Sequence, residues 1–228
     1  METTTKQYNF LDQTLTLTCQ STEHTIGLIQ QEISTYKSLF DVNFNPGDII
    51  LDLGANLGII SILLSKKFPQ TRIYSFEASP INYQNFVKNI EDNNCTNISS
   101  FNLAVWSTSN TTIEIPTSPT NSGGSSIYYK SEFFDQYPIS KVKTISLEDI
   151  FDQNNIGICK LLKIDVEGAE YEIFSAYPEE KLNNIKNIGI EFHQCEADNL
   201  INLKQVLKDN NVNIVCEFNA EGNKLKQK

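Results

Sequence analysis

Four carboxylates and a histidine, gathered in two short segments, are the residues of this chain best suited to proton chemistry. The segment "KIDVEGAEYE" ends an apolar run with Asp165 and places Glu167 and Glu170 in the turn that follows. Gly168 permits the bend there. The segment "GIEFHQ" ends another apolar run with Glu191 and His193, which share one side of an extended strand because side chains alternate. Imidazole titrates near neutral pH, so His193 suits removal of a proton from a hydroxyl nucleophile. The other histidine, His24, lies far away near the N-terminus. Carboxylates such as Asp165 and Glu167 can orient a cation or take that proton. Glu167 and Glu170 equally suit the positive N-terminus of the helix that follows them.

A second constellation is built for holding a ligand. "ILDLGANLGIIS" leaves an aliphatic run through Asp52, Gly54, Ala55, Asn56 and Gly58 and returns to aliphatics at once. Gly54 can adopt angles closed to other residues, and Gly58 allows close helix–strand packing. A helix opening after such a turn offers free N–H groups and a partial positive charge. Glu77 in "YSFEASP" follows the turn by about 20 positions, where a carboxylate accepts hydrogen bonds from ribose hydroxyls. The pair points to a ligand with an adenosine-like half. A dinucleotide turn reads G-x-G-x-x-G, whereas Asn56 stands here where that turn needs openness. Asp52 would repel a pyrophosphate. S-adenosylmethionine has no phosphate and carries a sulfonium and an ammonium, so charge favours a methyl donor over NAD.

The elements that must position these groups alternate along the chain. Apolar runs at "DIILDL", "RIYSF", "ISSFNLAV", "CKLLKID", "IGIEF" and "VNIVCEF" read as strands, and the segments between them read mostly as helices. Ser79 and Pro80 mark an N-cap and first helical position, and Ser146 with Asp149 stand at capping-box spacing. Such alternation means an α/β fold, a mostly parallel twisted sheet with helices on both faces. Residues 107–143, rich in Ser, Thr, Asn, Pro and Gly, predict a hairpin or loop excursion, with "TTIEI" as one arm and "NSGGSS" a loop able to close over a substrate. Residues 1–46 read as an appendage or lid, with a strand at 15–19 and a helical stripe over 25–40; residues 47–228 form the ligand-binding domain. Asn is abundant throughout and reads as background.

Bulk properties narrow the partners. The 228 residues carry 18 basic against 28 acidic side chains, a net of −10, which disfavours nucleic acid and anionic membranes. Five scattered cysteines with no C-x-x-C pair predict neither a disulfide framework nor a zinc site, so a reducing cytoplasm is expected. The polar, Thr-rich start lacks the features of a signal peptide, and no apolar run approaches a membrane span.

Taken in order, "LDLGANLG", "FEASP", "NLAV", "VKTISLEDI" and "LLKIDVEGAEYEIF" resemble the FkbM family of S-adenosylmethionine-dependent methyltransferases, over about Pro46 to His193. The resemblance implies a Rossmann-like class I methyltransferase sheet of about seven strands, the last antiparallel. It implies mostly O-methylation of a small-molecule or sugar hydroxyl, with methylation of an amide or peptide nitrogen as the alternative. A catalytically silent cofactor-binding module is the reading from another class. By the same resemblance, Asp52 and the turn Gly54, Ala55, Asn56 and Gly58 hold the methionine end of S-adenosylmethionine. Glu77 holds the ribose, with Ala78 and Ser79 beside the adenosine, while Asn102 and Ala104 border the adenine. Asp165 stands beside the reactive end. Ala78 departs from the proline usual in the family, and no final antiparallel strand is legible after Phe218. Some O-methyltransferases of related fold suggest a divalent metal on Asp165, Glu191 and His193. No ligand set is clearly spaced here, so no metal is expected. Asp165, Glu167 and His193 remain the catalytic candidates, His193 as the base.

Overall fold

A computed structural model describes residues 2–20, 25–116, 137–193 and 197–219. The chain opens with an antiparallel hairpin, β1 (Thr3–Phe10) and β2 (Gln13–Gln20). The stripe expected as one helix over 25–40 divides into α1 (Thr25–Glu32) and a 3₁₀ segment (Thr35–Asp41). Ser34 and Thr35 lie at the break, and such side chains compete with helical backbone bonds. The apolar positions keep their role, for Ile33, Tyr36, Leu39 and Phe40 are all buried.

The continuous apolar runs become strands covered on both faces. They are β3 (Ile49–Leu53), β4 (Arg72–Phe76), β5 (Ile98–Phe101), and further on β9 (Leu161–Ile164), β10 (Asn187–Phe192) and β11 (Asn213–Asn219). Every pairing among these six is parallel, in the order β11-β10-β9-β3-β4-β5. The order reverses between β3 and β9, which opens a crevice at their carboxyl ends. Among the described residues there is no seventh strand, and β11 runs parallel, so the antiparallel edge implied by the family resemblance is not present.

Helices fill the crossovers. α2 (Ile59–Lys67) is buried from Ile59 through Ser65. α3 (Pro80–Asp92) starts at Ser79, whose hydroxyl accepts from the Asn82 N–H, with Pro80 at the first position. Asn89 of α3 and Asn93, which caps its C-terminus, turn toward the hairpin. Asn89 accepts from the Thr18 N–H and donates to its carbonyl, and Asn93 does the same with Thr16. These two asparagines are therefore structural. The hairpin shares its core with the sheet, because Phe10, Leu15 and Leu17 join Leu39, Ile50, Ile59 and Ile62 in one cluster.

The run expected as a single third strand breaks at Asn102. β5 stays in the main sheet, and β6 (Ala104–Trp106) leaves it to form a small sheet with β7 (Thr112–Pro116) and β8 (Ile139–Ser146). β7 and β8 are antiparallel, as the excursion required; "NSGGSS" lies outside the described residues. α4 (Leu147–Gln153) is capped by Ser146, α5 (Glu170–Ala176) follows β9, and α6 (Ala197–Asp209) precedes β11. Among the described residues no helix is long and apolar enough to cross a membrane.

Candidate active site

A cavity lies at the carboxyl ends of β3, β4 and β9, where the strand order reverses. The turn after β3 forms one wall. Gly54 sits at φ 80° and Gly58 at φ 82°, a region open to glycine. A Cβ on Gly54 would meet the Asp165 carbonyl at 1.8 Å, and one on Gly58 would meet the Phe86 ring at 2.0 Å. The glycines thus let β9 and α3 approach. The amides of the turn itself are occupied. Gly54 and Ala55 both donate to the Phe76 carbonyl, and Asn56 donates to Glu77 Oε2 at 2.6 Å.

Glu77 also accepts the Ser79 N–H on Oε1 at 2.8 Å, so two backbone amides fix its carboxylate at the cavity wall. The Asn82 side chain bonds the same carboxylate. Burial pushes its pKa up to about 7, against the lowering pull of the Ser79 and Asn56 amides and of Lys163. Asn102 donates to the carbonyls of Glu77 and Ala78, at 2.9 and 3.0 Å, and so bends the chain where β5 ends. Beyond Glu77 the walls are apolar: Leu103, Ala104, Trp106, Ile113 and Ile115.

The opposite end is acidic. Asp165 and Glu167 line it, and Glu167 holds φ 54°, a strained value for a side-chain-bearing residue. Behind them Lys163, 3% exposed, bonds the Gly54 carbonyl at 2.7 Å and pairs with Asp52 at 3.2 Å and Asp165 at 3.5 Å. Burial would lower the lysine's pKa, but Asp52 and Asp165 overturn that and hold it raised. His193 lies between two glutamates, with Nδ1 2.8 Å from Glu170 and Nε2 3.2 Å from Glu167. Burial opposes its charge, yet the bonds to Glu167 and Glu170 and the nearby Asp165 raise its pKa to about 12. Burial likewise raises the Glu167 carboxyl, against the bond from His193.

A family model for the methyltransferase FkbM domain matches residues 52–218. The chain belongs to the FkbM family. Among the relatives of this FkbM methyltransferase are Methyltransferase 1 of Beauveria bassiana (strain ARSEF 2860) and Methyltransferase sdnD of Sordaria araneosa. The first is 25% identical over 189 residues, spanning 76% of each chain. The second is 24% identical over 189 residues, 72% of this chain and 73% of the relative. A solved structure titled precorrin-6y C5,15-methyltransferase, from Geobacter metallireducens GS-15, aligns over 77% of this chain and 69% of its own, at a TM-score of 0.44 and 14% identity.

Of the residues singled out in the sequence, Gly54, Asn56, Glu77, Ala78, Ser79, Ala104, Asp165 and Glu167 line the cavity of the FkbM methyltransferase. Asp52 does not: it is 0% exposed behind the turn, accepting from Ser61 and paired to Lys163. Ala55 and Gly58 shape the turn from behind, and Asn102 is spent on backbone carbonyls. His193, expected as the base, has both ring nitrogens against glutamates, and those contacts hold its pKa well above the usual imidazole value. Asp165, Glu167 and His193 bring ligand-type atoms within 4.8 Å of one another. Sequence reasoning missed Lys163, whose only signal is a lysine inside the apolar run "LLKID", and Tyr36, which carries none.

Proposed function

We propose that this FkbM methyltransferase uses S-adenosylmethionine to methylate a small-molecule or sugar-like hydroxyl. One observation carries the reading: the cavity has two unlike ends that match the two ends of the donor. Glu77, fixed by two amides, suits the ribose diol, and the apolar walls suit a flat base. Asp165 and Glu167 suit the sulfonium and ammonium. A pyrophosphate would meet repulsion at that acidic end, which argues against NAD.

When bound, the donor supplies an electrophilic methyl group on a sulfonium. The chain's own residues align, shield and deprotonate. Asp165, held by Lys163 from behind, offers fixed negative charge to the sulfonium. Glu167 faces the cavity with a raised pKa and is the proton acceptor: the hydroxyl proton passes to it as the C–O bond forms and the C–S bond breaks. His193, always charged, keeps Glu167 aimed.

Calorimetry tests the donor. S-adenosylmethionine and its demethylated product are expected to bind and NAD is not, and Glu77→Ala should weaken donor binding by ~1–3 kcal/mol through lost charged hydrogen bonds. Heat from NAD but not from the methyl donor overturns the reading. Affinity should also fall as pH drops below about 7, where Glu77 takes up a proton. Its contribution to the stability of the free protein runs the other way. A carboxyl raised by folding stabilises while protonated, and that is lost as pH rises toward about 7. A melting-temperature series with and without donor reads both slopes.

No metal is proposed, because His193 is committed to its two glutamates. Donor affinity and turnover should be the same in excess EDTA and in added Mg²⁺ or Mn²⁺. Loss of turnover on chelation, restored by Mg²⁺, would make Asp165, Glu167 and His193 ligands.

A further inference from the structure

Five carboxylates crowd the acidic end, those of Asp52, Asp165, Glu167, Glu170 and Glu191, against two cations, Lys163 and His193. Lys163 pairs with Asp52 and Asp165, and His193 lies between Glu167 and Glu170. Glu191 is farther from its cation, with Oε1 3.9 Å from His193 Nε2. Its nearer neighbour comes from outside the matched domain. The Tyr36 hydroxyl donates to Asp165 Oδ2 at 3.0 Å and reaches Glu191 Oε2 at 3.3 Å. One phenol thus stands between carboxylates at the ends of two neighbouring strands.

The placement is built into the packing. Tyr36 is 5% exposed and sits in the 3₁₀ segment, three residues before Leu39. Leu39 fills the space over Gly189 of β10, where a Cβ would meet Leu39 Cδ2 at 2.4 Å. Gly189 and Glu191 share one face of β10, being two residues apart. The missing side chain at 189 therefore seats the segment, and the seat aims the hydroxyl at Glu191.

We propose that Tyr36 is a positioning residue of the donor site, a hydroxyl from the N-terminal segment that holds the Asp165 and Glu191 carboxylates in place and so aims the negative charge facing the sulfonium. The matched family span begins at residue 52, so Tyr36 adds to the site from residues 1–46. A donor placed between two carboxylates fixes the direction in which both point. The groups facing the pair are Lys163 from β9, His193 and Glu167 beyond the strand ends, and Cys216 from β11 near the phenol. Asp52 acts through Lys163. Burial and the charges of Asp165 and Glu191 keep the phenol itself protonated.

This inference rests on the proposed donor, and the test separates the two. The sulfonium of S-adenosylmethionine is charged, and the thioether of its demethylated product is neutral. The ratio of their affinities reads the charge at the acidic end, while Glu77 affects both ligands alike and cancels. Tyr36→Phe should lower the ratio ~10-fold, the scale of a hydrogen bond to a charged group, because the two carboxylates lose the hydroxyl that holds them toward the sulfonium. An unchanged ratio in Tyr36→Phe, or equal weakening of both ligands, overturns the proposal and leaves Tyr36 a core residue. Failure of the unaltered protein to bind either ligand overturns the donor instead. Should Tyr36→Phe not fold, Glu191→Gln alone must lower the ratio at pH 8, and an unchanged ratio is equally fatal.

Discussion

Replacing His193 by alanine is expected to destabilise the protein by about 3–5 kcal/mol, the usual result of removing one partner from a buried ion pair. The reason is what remains behind. Glu170 is 0% exposed and one of its oxygens already accepts from the Val166 and Gly168 amides. Without the imidazolium its charge is buried with only those amides beside it. Glu167 loses its anchor at the same time. Urea unfolding of the variant gives the number, and a loss under 1 kcal/mol would refute the clamp. The pH dependence has a definite sign. Folding raises the His193 pKa to about 12, so its contribution is complete below ~6.5, where the unfolded histidine is also protonated. The contribution declines as pH rises above that value. A general base would instead give turnover a rising limb near neutrality, and none is expected from this residue.

Lys163→Met is expected to cost a similar ~3–5 kcal/mol in stability, by stranding the fully buried Asp52 carboxylate. It should also weaken donor binding by ~10-fold, because the ammonium fixes both the Gly54 carbonyl and Asp165. The double variant Lys163→Met with Asp52→Asn should recover more than half the stability, since the stranded charge is gone. It should not recover donor binding, which depends on Asp165. Recovery of both together would mean that Lys163 acts only through Asp52. Chemical unfolding and calorimetry on the unaltered protein and these two variants decide it.

How legible the site was depended on how local each relation is. The parallel strands announced themselves as unbroken aliphatic runs, and Ser79 with Pro80 marked a helix start that the structure has. Glu77 was readable because its distance from the turn is fixed by one strand–helix–strand unit. Tyr36 was not, for its partner Asp165 lies 129 residues along the chain and nothing near Tyr36 hints at it. Asp52 and His193 were chosen for chemical type, and type does not say whether a neighbour already neutralises the group. Lys163 and Glu170 supply that neutralisation from a strand and a helix that the sequence placed correctly but could not orient. The break at Asn102 was hidden because Leu103 and Ala104 continue the apolar run, while the cause is a side-chain amide turned back on Glu77 and Ala78.

The pairing of Asn89 and Asn93 with Thr18 and Thr16 has a consequence for how this chain meets other chains. A strand with an open edge is a template on which a foreign strand can add, the first step toward aggregation or swapping. On β2 the N–H and C=O groups at Thr16 and Thr18 are already occupied by amides that imitate a neighbouring strand but end after two rungs. A helix has thereby closed a border that a two-stranded ribbon would otherwise leave open to recruitment.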